Sequence, residues 1–322
     1  MWPSHASACG KVILCGEHAV VYHRPAIAVP LSQIRARAEV LPSRTGAGLQ
    51  ICARDLGTCY GLSAAPPNDP LAVAALEVLR RLSVPEPDAT LTIRSDIPVA
   101  SGLGSGAAVA VAEIRALTRA LGCELAPATV SALTYEVERI HHGTPSGIDN
   151  TVIAFEQPVF YESGRPIEPL RVRQSLELIV ADSGMPSSTR EAVKHVRSLW
   201  NHDREQYDGI FDSIAAIVEE TRTVLQVGDV VTLGRLMAQN HALLQRLQIS
   251  TPQVDSLVEA ACRAGSLGAK LSGAGCGGNV IALVNSATRD AVTTALLTAG
   301  AVRIIYARIR ADKATDGGVE DA

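Results

Sequence analysis

The stretch from Asp96 to Ala108, DIPVASGLGSGAA, limits the fold more than any other part of the chain. Glycines at the alternate positions 102, 104 and 106 tolerate positive φ and leave bare backbone against which a bulky group can lie. The Ala-rich run from Val109 to Leu117 has high helix propensity, so the loop feeds a helix N-terminus. There, unpaired amides and the helix dipole favour an anion such as phosphate. No Gly-Lys-Ser/Thr follows, and no alternation of parallel strands and helices surrounds the loop. These absences argue against a Walker loop and a dinucleotide fingerprint. The same glycines would also serve a tight turn ahead of a packing helix, and the rest of the chain must distinguish the two.

Upstream, residues 10–22 read GKVILCGEHAVVY. Lys11 opens an apolar run of strand character, and the Gly16, Glu17, His18 turn leaves two polar groups at its end. Alone, Lys11 would be a solvated lysine at a strand start; near a phosphate loop it becomes a candidate for offsetting charge on a transferring phosphoryl group. Strand patterns follow at Ala26 to Ala38, Leu49 to Ala53 and Ala89 to Ser95, with a helix near Leu71 to Leu82. Pro127 to His142 places Val130, Leu133, Val137 and Ile140 on one helical face. Glu138 falls near the end of that helix, where the dipole disfavours an anion, a small push toward a cationic partner. Gly143 fits the position just past the helix, and Pro145 bars continuation. Residues 142–150, HGTPSGIDN, therefore read as a loop: an ordinary turn with a local bond from Asp149, or a rigid segment that aims this carboxylate into a cleft.

A second domain begins near Leu176 to Asp182, a buried-strand pattern after the irregular 162–174 segment. It continues with amphipathic helices near 189–200, 205–227, 229–247 and 251–264. Ser187, Ser188 and Thr189 suit a helix N-cap, a substrate contact, or both. Residues 270–279, KLSGAGCGGN, lead into the strand Val280 to Val284. So many glycines are entropically costly in a linker, which favours close approach of backbone to a ligand or to the other domain. A helix at 288–297 and a strand at 302–309 complete the pattern. The expected division is 1–174, 175–312 and a short disordered tail at 313–322.

With 322 residues, 47% of them hydrophobic, the chain can bury cores for two domains. A formal charge of −4 offers no basic field for nucleic acid, and no apolar run is long enough to span a bilayer. Met1 to Ser7 lacks the basic flank and apolar run of a secretory leader. The seven cysteines form no CxxC pair or metal spacing, and their odd number argues against a disulfide framework. They are expected to be reduced, in a cytoplasmic protein.

Taken together, these segments resemble the GHMP small-molecule kinases, and the likeness runs from Gly10 to about Val284. Residues 10–21 look like that family's first motif, 97–108 like its ATP-phosphate loop and 270–279 like its third motif. Residues 138–150, Asp182 to Gly184 and Ser187 to Arg190 resemble the branch that phosphorylates mevalonate more than its relatives. The resemblance implies an α+β fold of two domains with the active site between them. The N-terminal domain would be like domain 2 of ribosomal protein S5, and the C-terminal one ferredoxin-like. It implies ATP and Mg²⁺ as cofactors and mevalonate as substrate, with no nucleic-acid or membrane partner; a homodimer is the commonest closed assembly.

Residue by residue, the resemblance implies that Asp149 is the catalytic carboxylate and that Lys11 sits beside it, depressing its pKa and offsetting charge at the γ-phosphate. The nucleotide would lie against Lys11, Ser95, Ala100, Ser101, Gly102, Leu103, Gly104, Ser105 and Gly106. Mevalonate would meet Glu17, His18, Asp149, Thr189 and Arg190, and Glu138 would hold Mg²⁺. The family usually carries a second serine after Gly-Leu-Gly-Ser, on the metal; here that position is Gly106, so Ser105 or a water must supply the ligand. Other acceptors stay open: phosphomevalonate, homoserine, or the 3-hydroxyl of mevalonate. A phosphorylated acceptor would call for extra Lys or Arg in the pocket, and no obvious cluster stands near Glu17, Asp149 or Ser187. A catalytically inactive nucleotide-binding relative is the remaining alternative. Gly106 encourages it, and the presence of Lys11, Glu138 and Asp149 together argues against it.

Overall fold

The computed structural model describes residues 3–99, 101–142 and 145–312, and the side chains of all of these except residues 141 and 142. Ala100, Gly143, Thr144 and the tail at 313–322 lie outside the described residues.

The first sheet is built around two long antiparallel strands, β1 (Ser4–Cys15) and β2 (Ala26–Pro42). The others are β3 (Leu49–Ala53), β4 (Thr58–Gly61), β5 (Ala89–Ser95), β6 (Val159–Tyr161) and β7 (Glu168–Pro169). Their order is β4-β3-β5-β2-β6-β7, with β1 paired to β2 and only β3 and β5 parallel. Four helices accompany this sheet: α1 (Pro70–Leu82), α2 (Ser105–Ala120), α3 (Pro127–His142) and α4 (Ile148–Phe155). The alanines of α2 let it lie close on β1 and β2, burying Ala107, Ala108, Val111, Ala112 and Ile114.

The second sheet is fully antiparallel, in the order β11-β8-β10-β9: β8 (Leu176–Asp182), β9 (Gly268–Ser272), β10 (Asn279–Val284) and β11 (Arg303–Ile309). With it go α5 (Thr189–His202), α6 (Arg204–Val227), α7 (Val230–Arg246), α8 (Pro252–Arg263) and α9 (Arg289–Thr298). Helix α7 crosses β9 at bare backbone, because a Cβ on Gly234 would meet the Leu267 carbonyl oxygen at 2.1 Å. One mixed and one antiparallel sheet, each with its own helices, make this the expected α+β class.

Several expectations need correction. β1 begins at Ser4 rather than Lys11, because residues 4–9 pair with residues 35–40 of β2 and extend the ladder. The 142–150 segment is not all loop: α4 starts at Ile148, so Asp149 lies in a helical first turn capped by Gly147 at φ +88. The 270–279 run is strand at its start, since Lys270 to Ser272 pair with β10. The cysteines are not all reduced: Cys52 and Cys59 face each other in the β3–β4 ladder and form a disulfide, and the other five are free.

Candidate active site

Lys11 sits inside β1, and its N–H donates to the Leu103 carbonyl of the first glycine loop at 3.0 Å. Gly104 of that loop has φ +75, and a Cβ there would meet Lys11 Cγ at 2.9 Å and Ile153 Cδ1 at 2.8 Å. Only glycine lets the loop close this tightly over the lysine. Lys11 Nζ lies 2.9 Å from Asp149 Oδ1; the lysine side chain is buried, while 32% of the Asp149 side chain remains accessible. The first turn of α4 favours a carboxylate at Asp149 through the helix dipole. Glu138 of α3 completes the group: burial first, then the neighbouring Asp149 charge, pushes its carboxyl up to about 7, against the opposing pull of Lys11. Gly106, in the first turn of α2, admits that carboxylate closely, since a Cβ there would stand 3.1 Å from Glu138 Oε1.

The second glycine run braces the same place from the other domain. The Asn279 side-chain amide donates to the Ser101 carbonyl, and a Cβ on Gly273 would come within 3.8 Å of the Gly102 carbonyl oxygen. His18 has φ +59, and its Nε2 is 2.7 Å from the Ala274 carbonyl oxygen. Ser272 Oγ donates to the Ile13 carbonyl at 2.9 Å, and Lys270 Nζ donates to Glu17 Oε1. Between the two runs lies a cavity of about 290 Å³. Its wall includes Lys11, Gly102, Glu138 and Asp149, then Glu17, His18 and Ala274, then Thr189, Arg190, Lys194 and Arg197 of α5.

Among the residues expected to hold nucleotide, Gly102 lines the cavity, and Leu103 is buried. The serines are turned to the loop's own backbone. Ser95 Oγ accepts from the Ile97 N–H at 3.2 Å, Ser101 Oγ donates to the Pro98 carbonyl at 2.8 Å, and Ser105 Oγ points at the Ile97 carbonyl at 3.5 Å. Ser188 caps α5 by accepting from the Glu191 N–H at 3.3 Å, Ser187 Oγ donates to the Gly275 carbonyl at 2.5 Å, and Thr189 faces the cavity.

The family models for the GHMP kinases N terminal domain and the GHMP kinases C terminal domain match residues 70–157 and 213–302. A mevalonate kinase of Pyrococcus horikoshii is 37% identical over 321 residues, covering 93% of this chain and 94% of its own length. One of Thermococcus sibiricus is 38% identical over 320 residues, with the same coverage of 93% and 94%. The crystal structure of L. major mevalonate kinase in complex with R-mevalonate superposes with a TM-score of 0.82 at 31% identity, covering 96% of this chain and 97% of that one. The chain belongs to the mevalonate kinase family. Its two-domain arrangement is that of the GHMP kinases.

For a mevalonate kinase family member, the cavity holds two cations that sequence reasoning missed. Lys194 and Arg197 follow Arg190 at i+4 and i+7, so helix periodicity puts all three on one face of α5, and all three line the cavity. The expectation of no cationic cluster near Glu17, Asp149 or Ser187 is therefore corrected, since these three cations line the same cavity as Glu17 and Asp149. Reading α5 as a helical wheel would have found it.

Proposed function

We propose that this chain transfers the γ-phosphoryl group of ATP to the 5-hydroxyl of mevalonate, giving 5-phosphomevalonate and ADP on the route to isoprenoids. The observation that carries this reading is the Lys11–Asp149 pair at 2.9 Å, at the edge of a cavity shared by both glycine runs. Asp149 takes the proton of the 5-hydroxyl as its oxygen bonds to the γ-phosphorus and the bond from that phosphorus to the β,γ-bridging oxygen breaks. An alcohol is too weak an acid to lose that proton earlier. Lys11 offsets the charge on the transferring group, and the amides around Gly102 to Gly106, at the N-terminus of α2, cradle the phosphates. The cations of α5 fit the carboxylate of mevalonate.

A divalent cation fits the donors present. Two carboxylates, Glu138 and Asp149, line the same cavity, and burial and the Asp149 charge disfavour the charged form of Glu138, which a divalent cation would favour. Among the described residues no group of three or more His, Cys, Asp or Glu suited to a metal occurs, and Mg²⁺ can make up its coordination with waters and phosphate oxygens. Glu138 would hold it, with water in place of the hydroxyl absent at Gly106, and the bound ion would supply charge neutralisation along the phosphates. No described helix is long and apolar enough to cross a membrane. We place the enzyme in the cytoplasm, with its nucleotide, as a homodimer.

The α5 cations would also suit a phosphorylated acceptor, so the test has two arms. ADP release is followed with mevalonate and with phosphomevalonate. Turnover of mevalonate alone is expected; turnover of phosphomevalonate alone would replace the acceptor.

A further inference from the structure

Helix α4 carries Asp149, yet little in its own sequence fixes where it begins. It is 8 residues long, short of the roughly 12–15 that hold together alone, so contacts from elsewhere set its position. Its N-cap is Gly147, which offers no side chain to the first-turn amides. The far end is tied down: Glu156, just past α4, accepts from Arg35 Nη2 at 2.9 Å and from Arg115 Nη1 at 2.6 Å. Those bonds lie about 10 Å along the helix from Asp149, at a rise of about 1.5 Å per residue. Next to Asp149, Asn150 Nδ2 donates to the Ser131 carbonyl at 3.1 Å, which ties α4 to α3. The tie to the sheet comes from Tyr161 of β6. Its Oη donates to the Ser146 carbonyl at 2.6 Å, and a Cβ on Gly147 would run into that hydroxyl, so the ring closes directly on the loop. The Pro145 carbonyl faces Tyr135 Oη of α3 at 3.5 Å, a longer contact. Burial pushes the Tyr161 phenol above its ordinary value, so it keeps its proton and stays a donor.

We propose that Tyr161 is a positioning residue for the phosphoryl transfer: by holding the Ser146 carbonyl it fixes the start of α4 to the sheet that carries Lys11, and so sets where the Asp149 carboxylate stands. The sheet connection is short. Tyr161 lies opposite Ala26 of β2, and Lys11 lies opposite Pro30 of the same strand. Lys11 and the loop before Asp149 are thus referred to one strand, and the 2.9 Å separation of Lys11 Nζ and Asp149 Oδ1 depends on both attachments. Tyr161 does not line the cavity, whereas Ser146, Gly147 and Asp149 do, so its effect on the reaction passes through the residues it holds. The proposal rests on Asp149 as the proton acceptor in the reaction proposed above.

The test measures kcat and the KM values for mevalonate and Mg-ATP, with thermal melting, in the wild type, Tyr161→Phe, Asp149→Asn and the double variant. Tyr161→Phe keeps the ring and loses one hydrogen bond, so Tm should fall by less than about 6 °C. Its kcat should fall about tenfold or more, with both KM values within about threefold of wild type. In the Asp149→Asn background the same change should lower kcat by less than about twofold, because the group it positions is already gone. If Tyr161→Phe does not fold, Gly147→Ala displaces the hydroxyl from the loop side and should show the same fall in kcat and the same silence beside Asp149→Asn. A purely structural tyrosine would lower Tm and leave kcat at its wild-type value, which overturns the proposal. An equal loss of kcat in both backgrounds overturns it too, since Tyr161 would then act by a route other than Asp149. A wild type that releases no ADP with mevalonate, or an Asp149→Asn variant that keeps its kcat, removes the reading on which the proposal stands, and both are seen before Tyr161 is changed.

Discussion

Alanine at Gly102 and alanine at Gly104 should damage the enzyme in different ways. Both glycines have φ +75, so either substitution puts a side chain into left-handed backbone at about 1–2 kcal/mol. For a domain of this size each kcal/mol lowers Tm by about 2–4 °C. At Gly102 a Cβ meets nothing within 4 Å, so strain is the whole stability cost, and the methyl projects into the open space where the phosphates are proposed to lie. At Gly104 the Cβ would stand 2.9 Å from Lys11 Cγ and 2.8 Å from Ile153 Cδ1, against a comfortable carbon separation of about 3.5–4.0 Å. Something must move by more than about half an ångström. Lys11 has little freedom to yield, being buried and held 2.9 Å from Asp149. Overpacking adds about 1–3 kcal/mol to the strain. A shift near 1 Å in a positioning group costs about 10²-fold in rate. Gly104→Ala should therefore lose more Tm than Gly102→Ala and lower kcat by about 10²-fold. Gly102→Ala should raise the KM for Mg-ATP and keep kcat within a few-fold. Thermal melting with separate ATP and mevalonate titrations reads both. If Gly104→Ala melts like Gly102→Ala and keeps wild-type kcat, the bare backbone at 104 does not seat Lys11.

Asp149→Asn should leave Mg-ATP binding nearly intact, by thermal shift, while kcat falls by about 10² or more; retained turnover would take Asp149 out of the chemistry. Lys194→Met with Arg197→Met should raise the KM for mevalonate at least about tenfold and leave the KM for Mg-ATP unchanged; an unchanged mevalonate KM would restrict carboxylate binding to the rest of the cavity wall. Glu113 in α2 is fully buried with neither carboxyl oxygen bonded among the described residues, and burial, then the Asp69 charge, pushes it well above its usual 4.5. The folded state thus holds a proton that the unfolded chain has lost above about pH 4.5, so this carboxyl makes folding progressively less favourable as pH rises. Glu113→Gln should gain Tm over the wild type increasingly from pH 5 to 8, and a constant difference across that range would contradict a buried, protonated Glu113.

Much of the fold was legible where a pattern had both period and punctuation. Leu49–Ala53, Ala89–Ser95 and Leu176–Asp182 are strands at the expected limits, because their apolar runs are bounded by turn formers. The long helices of the second domain showed for the same reason, within a residue or two at their ends. β4, β6 and β7 are two to four residues long, too short to display a period of two. Helix α4 was hidden because its eight residues follow Pro145, Ser146 and Gly147, whose turn chemistry dominates a local reading. β9 was hidden because the glycines after Ser272 overshadowed the short strand before them. The Cys52–Cys59 bridge escaped because counting cysteines says nothing about register, and register alone puts those two opposite each other.

The candidate site was legible as a list of residue types but not as an assembly. Lys11, Glu138 and Asp149 could be named because each stood out from its local pattern, whereas the glycine run of the second domain announced a close approach without saying which of its side chains would make the contacts. Lys270 looked like the first residue of a glycine run, and Asn279 like its last, until folding brought them to Glu17 and Ser101. Those two contacts, with Ser272 on Ile13 and Ala274 on His18, all run from the β9–β10 hairpin to β1, the turn after it or the first glycine loop. None of them supplies a group at the Lys11–Asp149 pair. The second domain therefore acts on that pair by holding the backbone beside it, and among the described residues it brings charge to the cavity through the α5 cations. Damage to the hairpin should then appear as lost substrate affinity and lost cooperativity between the domains. Damage to Lys11 or Asp149 should appear in kcat.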